Sequence, residues 1–110
     1  MKKYIIYFSA VVFIAACTKA VAPTASKPDF TEADAQRAST MWPNTTVEDL
    51  KQGKALYEAN CGSCHGLKKP SSEPESEWRH IVPPMARKAK IDADTEFKIL
   101  RYVVTMCTVK

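Results

Sequence analysis

The chain has 110 residues, the size of a single domain. Its formal net charge of +4 is too small to mark a nucleic-acid-binding surface, and two of the positive charges, Lys2 and Lys3, lie in a segment that reads as removable. No internal repeat is visible, which sets aside repeat architectures.

Met1-Lys2-Lys3 is a short basic start, followed by an uncharged apolar run from Tyr4 to Ala15. That run is short for a membrane-spanning helix and has the size and flanks of an export signal. Ile14-Ala15-Ala16-Cys17 ends it. Small residues before a cut suit a signal peptidase, and a cysteine directly after them suits a bacterial lipobox, in which Cys17 is acylated and becomes the first mature residue. The alternative is an ordinary secretory signal with an incidental cysteine. The expected organisation is therefore a removed leader (1–16), a lipidated N-terminus with a flexible tether (17–30) and one folded domain (31–110). Thr18 to Pro28 is rich in Ala, Thr, Ser and Pro, as a tether should be. The expected location is the cell envelope, facing the periplasm on a lipid anchor. Thr18 in place of an aspartate after Cys17 favours the outer membrane over the inner.

Within the domain, Thr31 is a candidate N-cap for a short helix to Met41, with Glu32 and Asp34 in its first turn. Trp42-Pro43 ends it, because the residue before proline avoids helical backbone. Thr45 or Thr46 caps the next helix, in which Val47, Leu50, Gly53 and Tyr57 share one face; the helix runs into Cys61. A glycine in that stripe costs helix stability and is worth having where another helix crosses closely. Residues 66–74 read as a loop. Glu75 to Val82 reads as a short helix broken by Pro83-Pro84, with Pro84 opening a further helix from Met85 to Lys90. Asp92 caps the last helix, whose expected stripe is Phe97, Leu100, Val104 and Cys107, broadened by Ile99, Val103 and Met106. No segment alternates like a strand, so the fold class is all-α.

Cys61-Gly62-Ser63-Cys64-His65 carries the strongest chemical signal. Two thiols three positions apart suit thioether bonds to the two vinyl groups on one side of a haem, and the following histidine then reaches the iron. Cys61 and Cys64 are the candidate attachment sites and His65 the candidate proximal ligand of one covalent haem c. A redox C-x-x-C would expect a strand before it. A zinc site would need further ligands, with only Cys107 and His80 left to supply them. Met85, beside the prolines, is the candidate sixth ligand. His80 is the runner-up, Met41 and Met106 are rivals, and an open position is the remaining alternative. A neutral iron-bound histidine should donate its second ring proton to a fixed acceptor, for which the Pro70 carbonyl is the candidate.

Trp42-Pro43, Leu50, Gly53, Leu56-Tyr57, Cys61 to His65, Trp78, Met85, Ala89, Ile91, Ile99 and Tyr102 together resemble class I cytochrome c, and more closely the compact haem domains of diheme cytochromes c. The resemblance covers about residues 31–104. It implies a small cytochrome c fold with crossing N- and C-terminal helices and short helices around the haem. It also implies His65 and Met85 as axial ligands, and a crossing of the Gly53–Tyr57 helix with the last helix near Leu100 and Tyr102. A single attachment motif implies one haem, and the interval from His65 to Met85 is shorter than in mitochondrial-type members.

The expected function is one-electron transfer, not enzymatic catalysis, with the redox chemistry belonging to the cofactor. Lys68, Lys69, Arg87, Lys88 and Lys90 form a candidate docking rim for an acidic redox protein. A peroxidase-like enzyme would need an open iron with acid–base groups over it, and Arg79 and His80 are neighbours on a helix that point about 100° apart. A gas sensor would also need an open or labile sixth position.

Overall fold

The computed structural model describes residues 29–62 and 66–109. The leader, Cys17 and the tether to Pro28 lie outside the described residues, as do Cys64 and His65. The described residues form four α-helices and one 3₁₀ turn, with no strand among them. The helices are α1 (Glu32–Ser39), α2 (Val47–Cys61), α3 (Glu75–Ala89) and α4 (Ala93–Met106), with the turn at Pro70–Ser72. The all-α expectation holds. None of the described helices is long and apolar enough to cross a membrane.

Helices α1 and α2 begin with the same device. Thr31 and Thr46 each accept a hydrogen bond from the backbone N–H three residues on, and Asp34 and Asp49 reach back to the backbone N–H of the cap. These reciprocal bonds satisfy N–H groups that a helix start leaves without partners. Asn44, in the left-handed region at φ 65°, turns the chain between them; asparagine tolerates that conformation better than most residues.

Helix α4 is the centre of the molecule and packs against each of the other helices and the 3₁₀ turn. Its closest approach is to α2. A Cβ on Gly53 would stand 2.5 Å from the Lys98 carbonyl oxygen and 2.6 Å from the Tyr102 Cβ, so only glycine lets the two backbones meet there. The expected crossing is thus present, centred on Lys98 and Tyr102. Leu50, Trp78, Ile99 and Val103 fill the core between α2, α3 and α4. Full burial of such side chains contributes roughly 1.5–3 kcal/mol each. Phe30 also belongs to this core, 5% exposed and edge-on to Tyr102 at 5.9 Å, although composition places it in the tether.

Two expectations about helices need correction. First, Pro83-Pro84 does not break α3, which runs unbroken through both prolines. Trp78, Val82 and Ala86 recur every four residues and are all buried, so one continuous apolar stripe binds both halves to the core. That packing offsets the local cost of the two interior prolines, ~3 kcal/mol each. Second, the buried face of α4 is rotated from the expected stripe: Ile99 and Tyr102 to Thr105 are buried, whereas Phe97 is 41% exposed. A helix packed on several sides buries more than one stripe, so periodicity alone does not choose its inner face.

Candidate functional site

Cys61, the last residue of α2, and Met85, near the end of α3, line the same cavity of about 380 Å³. That volume falls within the usual range for small-molecule and cofactor sites. Tyr57 stands one turn before Cys61 on the same face of α2. Trp78, Val82 and Met85 follow one another at intervals of four and three along α3, and Ile99 of α4 closes the back. The wall is largely apolar, as a large planar macrocycle requires. A thiol at one margin and a thioether sulfur from another helix are the donor types that a covalent, axially ligated haem needs. The residues present therefore fit a haem.

Two aromatic side chains organise this wall. The rings of Tyr57 and Trp78 meet edge-to-face, 6.1 Å apart at 89°. The Tyr57 hydroxyl donates to the Lys68 carbonyl at 2.7 Å, and burial pushes its pKa up to about 12, so it remains a donor across the physiological range. The Trp78 indole N–H donates to the Pro70 carbonyl at 2.8 Å. The carbonyl expected to orient His65 thus already holds one partner; a carbonyl oxygen has a second lone pair. Both contacts escape a reading of sequence, because their acceptors are main-chain atoms. The one local signal is the four-residue spacing from Tyr57 to Cys61.

The other candidate ligands lie elsewhere. His80 is on the exposed side of α3, outside the cavity lining. Met41 is 39% exposed beside Arg79, and Met106 lines a separate groove with Tyr102 and Phe30. Arg79 pairs with Glu75 at 2.7 Å and lies over the Trp42 ring, so neither it nor His80 overhangs the cavity. Cys107 is half-buried, donating its thiol to the Val104 carbonyl at 3.0 Å. Of the basic residues, Lys68 and Lys88 border the cavity, Lys69 borders the separate groove, and Arg87 and Lys90 are exposed at the end of α3.

Cys61 argues against a redox C-x-x-C. Reactive thiols of that kind gain acidity at a helix N-terminus. Cys61 ends its helix, and burial pushes its thiol up instead. No group of three or more His, Cys, Asp or Glu able to hold a metal ion occurs among the described residues.

The family model for cytochrome c oxidase, cbb3-type, subunit III matches residues 48–106. The chain belongs to this family and is a class I c-type cytochrome. The match runs from the start of α2 to the end of α4 and includes the Cys61–His65 motif and Met85. No curated protein and no solved structure matches the chain. Membership implies covalently bound haem c, electron transfer and redox protein partners.

Proposed function

We propose that this cytochrome is a lipid-anchored, monohaem electron carrier of the cell envelope, with haem c bonded to Cys61 and Cys64 and axial ligation by His65 and Met85. The observation that carries the reading is the joint presence of Cys61 and Met85 in one apolar cavity, with His80 outside it. When bound, the haem supplies a one-electron couple. The protein's part is to exclude water with Trp78, Val82 and Ile99, to hold the ring through Cys61, and to present a soft sulfur from Met85. A thioether ligand together with a histidine would favour reduced iron and would suit a carrier of relatively high potential. Cys17 supplies the membrane anchor, and the basic residues around Lys68 and Lys88 meet an acidic partner. The exposed placement of His80 and the Glu75 pairing of Arg79 weigh against a peroxidase-like enzyme.

The test is a pair of substitutions in matured holoprotein. Met85→Ala should abolish the methionine-to-iron charge-transfer band, lower the potential and speed the binding of carbon monoxide and cyanide. His80→Ala should leave the spectrum unchanged. The opposite pattern would replace a methionine-ligated carrier with a low-potential, bis-histidine one. A wild-type iron that is already five-coordinate would move the enzyme or sensor reading ahead.

A further inference from the structure

Tyr57 lies four residues before Cys61, and Lys68 three residues after His65. The bond from the Tyr57 hydroxyl to the Lys68 carbonyl therefore closes a loop of chain that contains the whole attachment motif. The second bond, from Trp78 to the Pro70 carbonyl, ties the same segment to α3, the helix that carries Met85. Both donors are deeply buried, Tyr57 at 6% and Trp78 at 1% exposed, and their rings brace one another edge-to-face. Together they join the end of α2, the segment behind His65 and the Met85 helix into one unit.

From this geometry we infer that Tyr57 and Trp78 are positioning residues: their two polar atoms clamp the backbone of residues 68–70 and thereby restrain the segment that follows the attachment motif, and with it the freedom of the ligand His65. The inference rests on the haem reading above and deepens it. Apolar packing alone would place the rings but has no need of two directed hydrogen bonds to consecutive parts of one loop. A buried donor left without its acceptor costs free energy, so each bond resists movement of the loop. An iron-bound histidine whose other ring N–H has a fixed partner keeps its ring orientation and basicity; a partner that moves gives up both.

The decisive variant is Tyr57→Phe in matured holoprotein, because it removes one oxygen and keeps the ring. Tyr102→Phe is the control, since it removes a phenol from the same aromatic cluster and touches neither carbonyl bond. The readout is solvent exchange of the His65 ring N–H, followed by NMR through its haem-shifted resonance. Loss of one such bond should speed that exchange by about tenfold in Tyr57→Phe and leave it unchanged in Tyr102→Phe. Replacing Trp78 by its benzothienyl analogue, in which sulfur stands for the indole N–H at nearly constant shape, should give the same direction. If Tyr57→Phe lowers stability but leaves the exchange at the wild-type rate, the two residues only pack and the inference fails. If His65 shows no haem-shifted ring resonance in the wild type, the ligand reading itself fails, and the clamp with it. A null result from Met85→Ala would refute only the distal assignment, because the exchange readout lies on the proximal side.

Discussion

Cys61 and Cys107 are both partly buried, and burial pushes both thiols up, yet their surroundings differ. Cys61 opens onto the cavity, whereas Cys107 is bonded to the Val104 carbonyl at the end of α4. Cys61→Ser should reduce the yield of holoprotein sharply, and Cys61→Ser combined with Cys64→Ser should leave any bound haem extractable by acid–acetone. Haem staining of denaturing gels measures both. Cys107, expected from sequence to lie in a buried stripe, is only half-buried, because α4 ends at Met106 and the core face is already turned toward Ile99 and Val103. Partial burial and the bond to the Val104 carbonyl shield the thiol and disfavour its thiolate, so a thiol reagent should modify it more slowly in the folded protein than in denaturant.

At the scale of elements, the contact of α2 with α4 is the least forgiving feature. Gly53→Ala gains up to ~1 kcal/mol of helix propensity. The new methyl group would lie against a backbone carbonyl and the Tyr102 Cβ, neither of which can swing aside. Overpacking of this kind costs about 1–3 kcal/mol, so a net destabilisation of roughly 1–2 kcal/mol should appear as a lower denaturant midpoint. The helix starts add a pH dependence. For Asp49, the Thr46 backbone N–H lowers the carboxyl pKa, aided by the Thr46 hydroxyl and Arg101, against the opposing effect of burial. For Asp34, burial alone would raise the pKa, but the bonds from Thr31 and Arg37 together outweigh it. Both folded values thus lie below the ordinary 3.8. Their stabilisation is complete above that value and is lost as pH falls through the depressed folded one. Unfolding of the holoprotein followed between pH 5 and pH 2 should show this loss, and Asp49→Asn should flatten it while lowering stability at neutral pH by about 1 kcal/mol. The Thr31 cap was legible in sequence and Thr46 was one of two candidates, because a cap acts within one turn; the return bonds of Asp34 and Asp49 appear only in the structure. The continuity of α3 was not legible, because a proline's local penalty is overridden by the long-range burial of Trp78, Val82 and Ala86. The candidate site divides in the same way: Cys61 could be read from the motif and Met85 from the neighbouring prolines and the family resemblance, and the fold brings the two to one cavity, whereas the Tyr57 and Trp78 bonds end on carbonyls brought near only by the fold.

For the whole molecule, the question is which surface a partner meets. The cavity is bordered by Lys68 and Lys88, and Arg87 and Lys90 lie beside Lys88 at the exposed end of α3. Lys68 is partly neutralised by its ion pair with Glu73, so the end of α3 carries the greater share of the positive field at the cavity margin. Electrons cross most readily where a partner approaches the cofactor closely, and a positive margin raises the rate of encounter with an acidic protein by long-range attraction. Such attraction is screened over about 10 Å at 0.1 M salt. Lys88→Glu should therefore lower the second-order rate of electron transfer to an acidic redox protein by roughly tenfold at low ionic strength. The deficit should shrink toward nothing near 1 M salt, where screening falls to about 3 Å. Lys51→Glu is the matching control. It reverses the same charge on an exposed position of α2, about 15 Å along the helix from Cys61. Stopped-flow kinetics over a salt series, with the reduction potential of each variant measured in parallel, separate docking from driving force. Equal slowing by both substitutions would mean that only net charge matters. Slowing by Lys88→Glu alone, at unchanged potential, would locate the docking face at the end of α3.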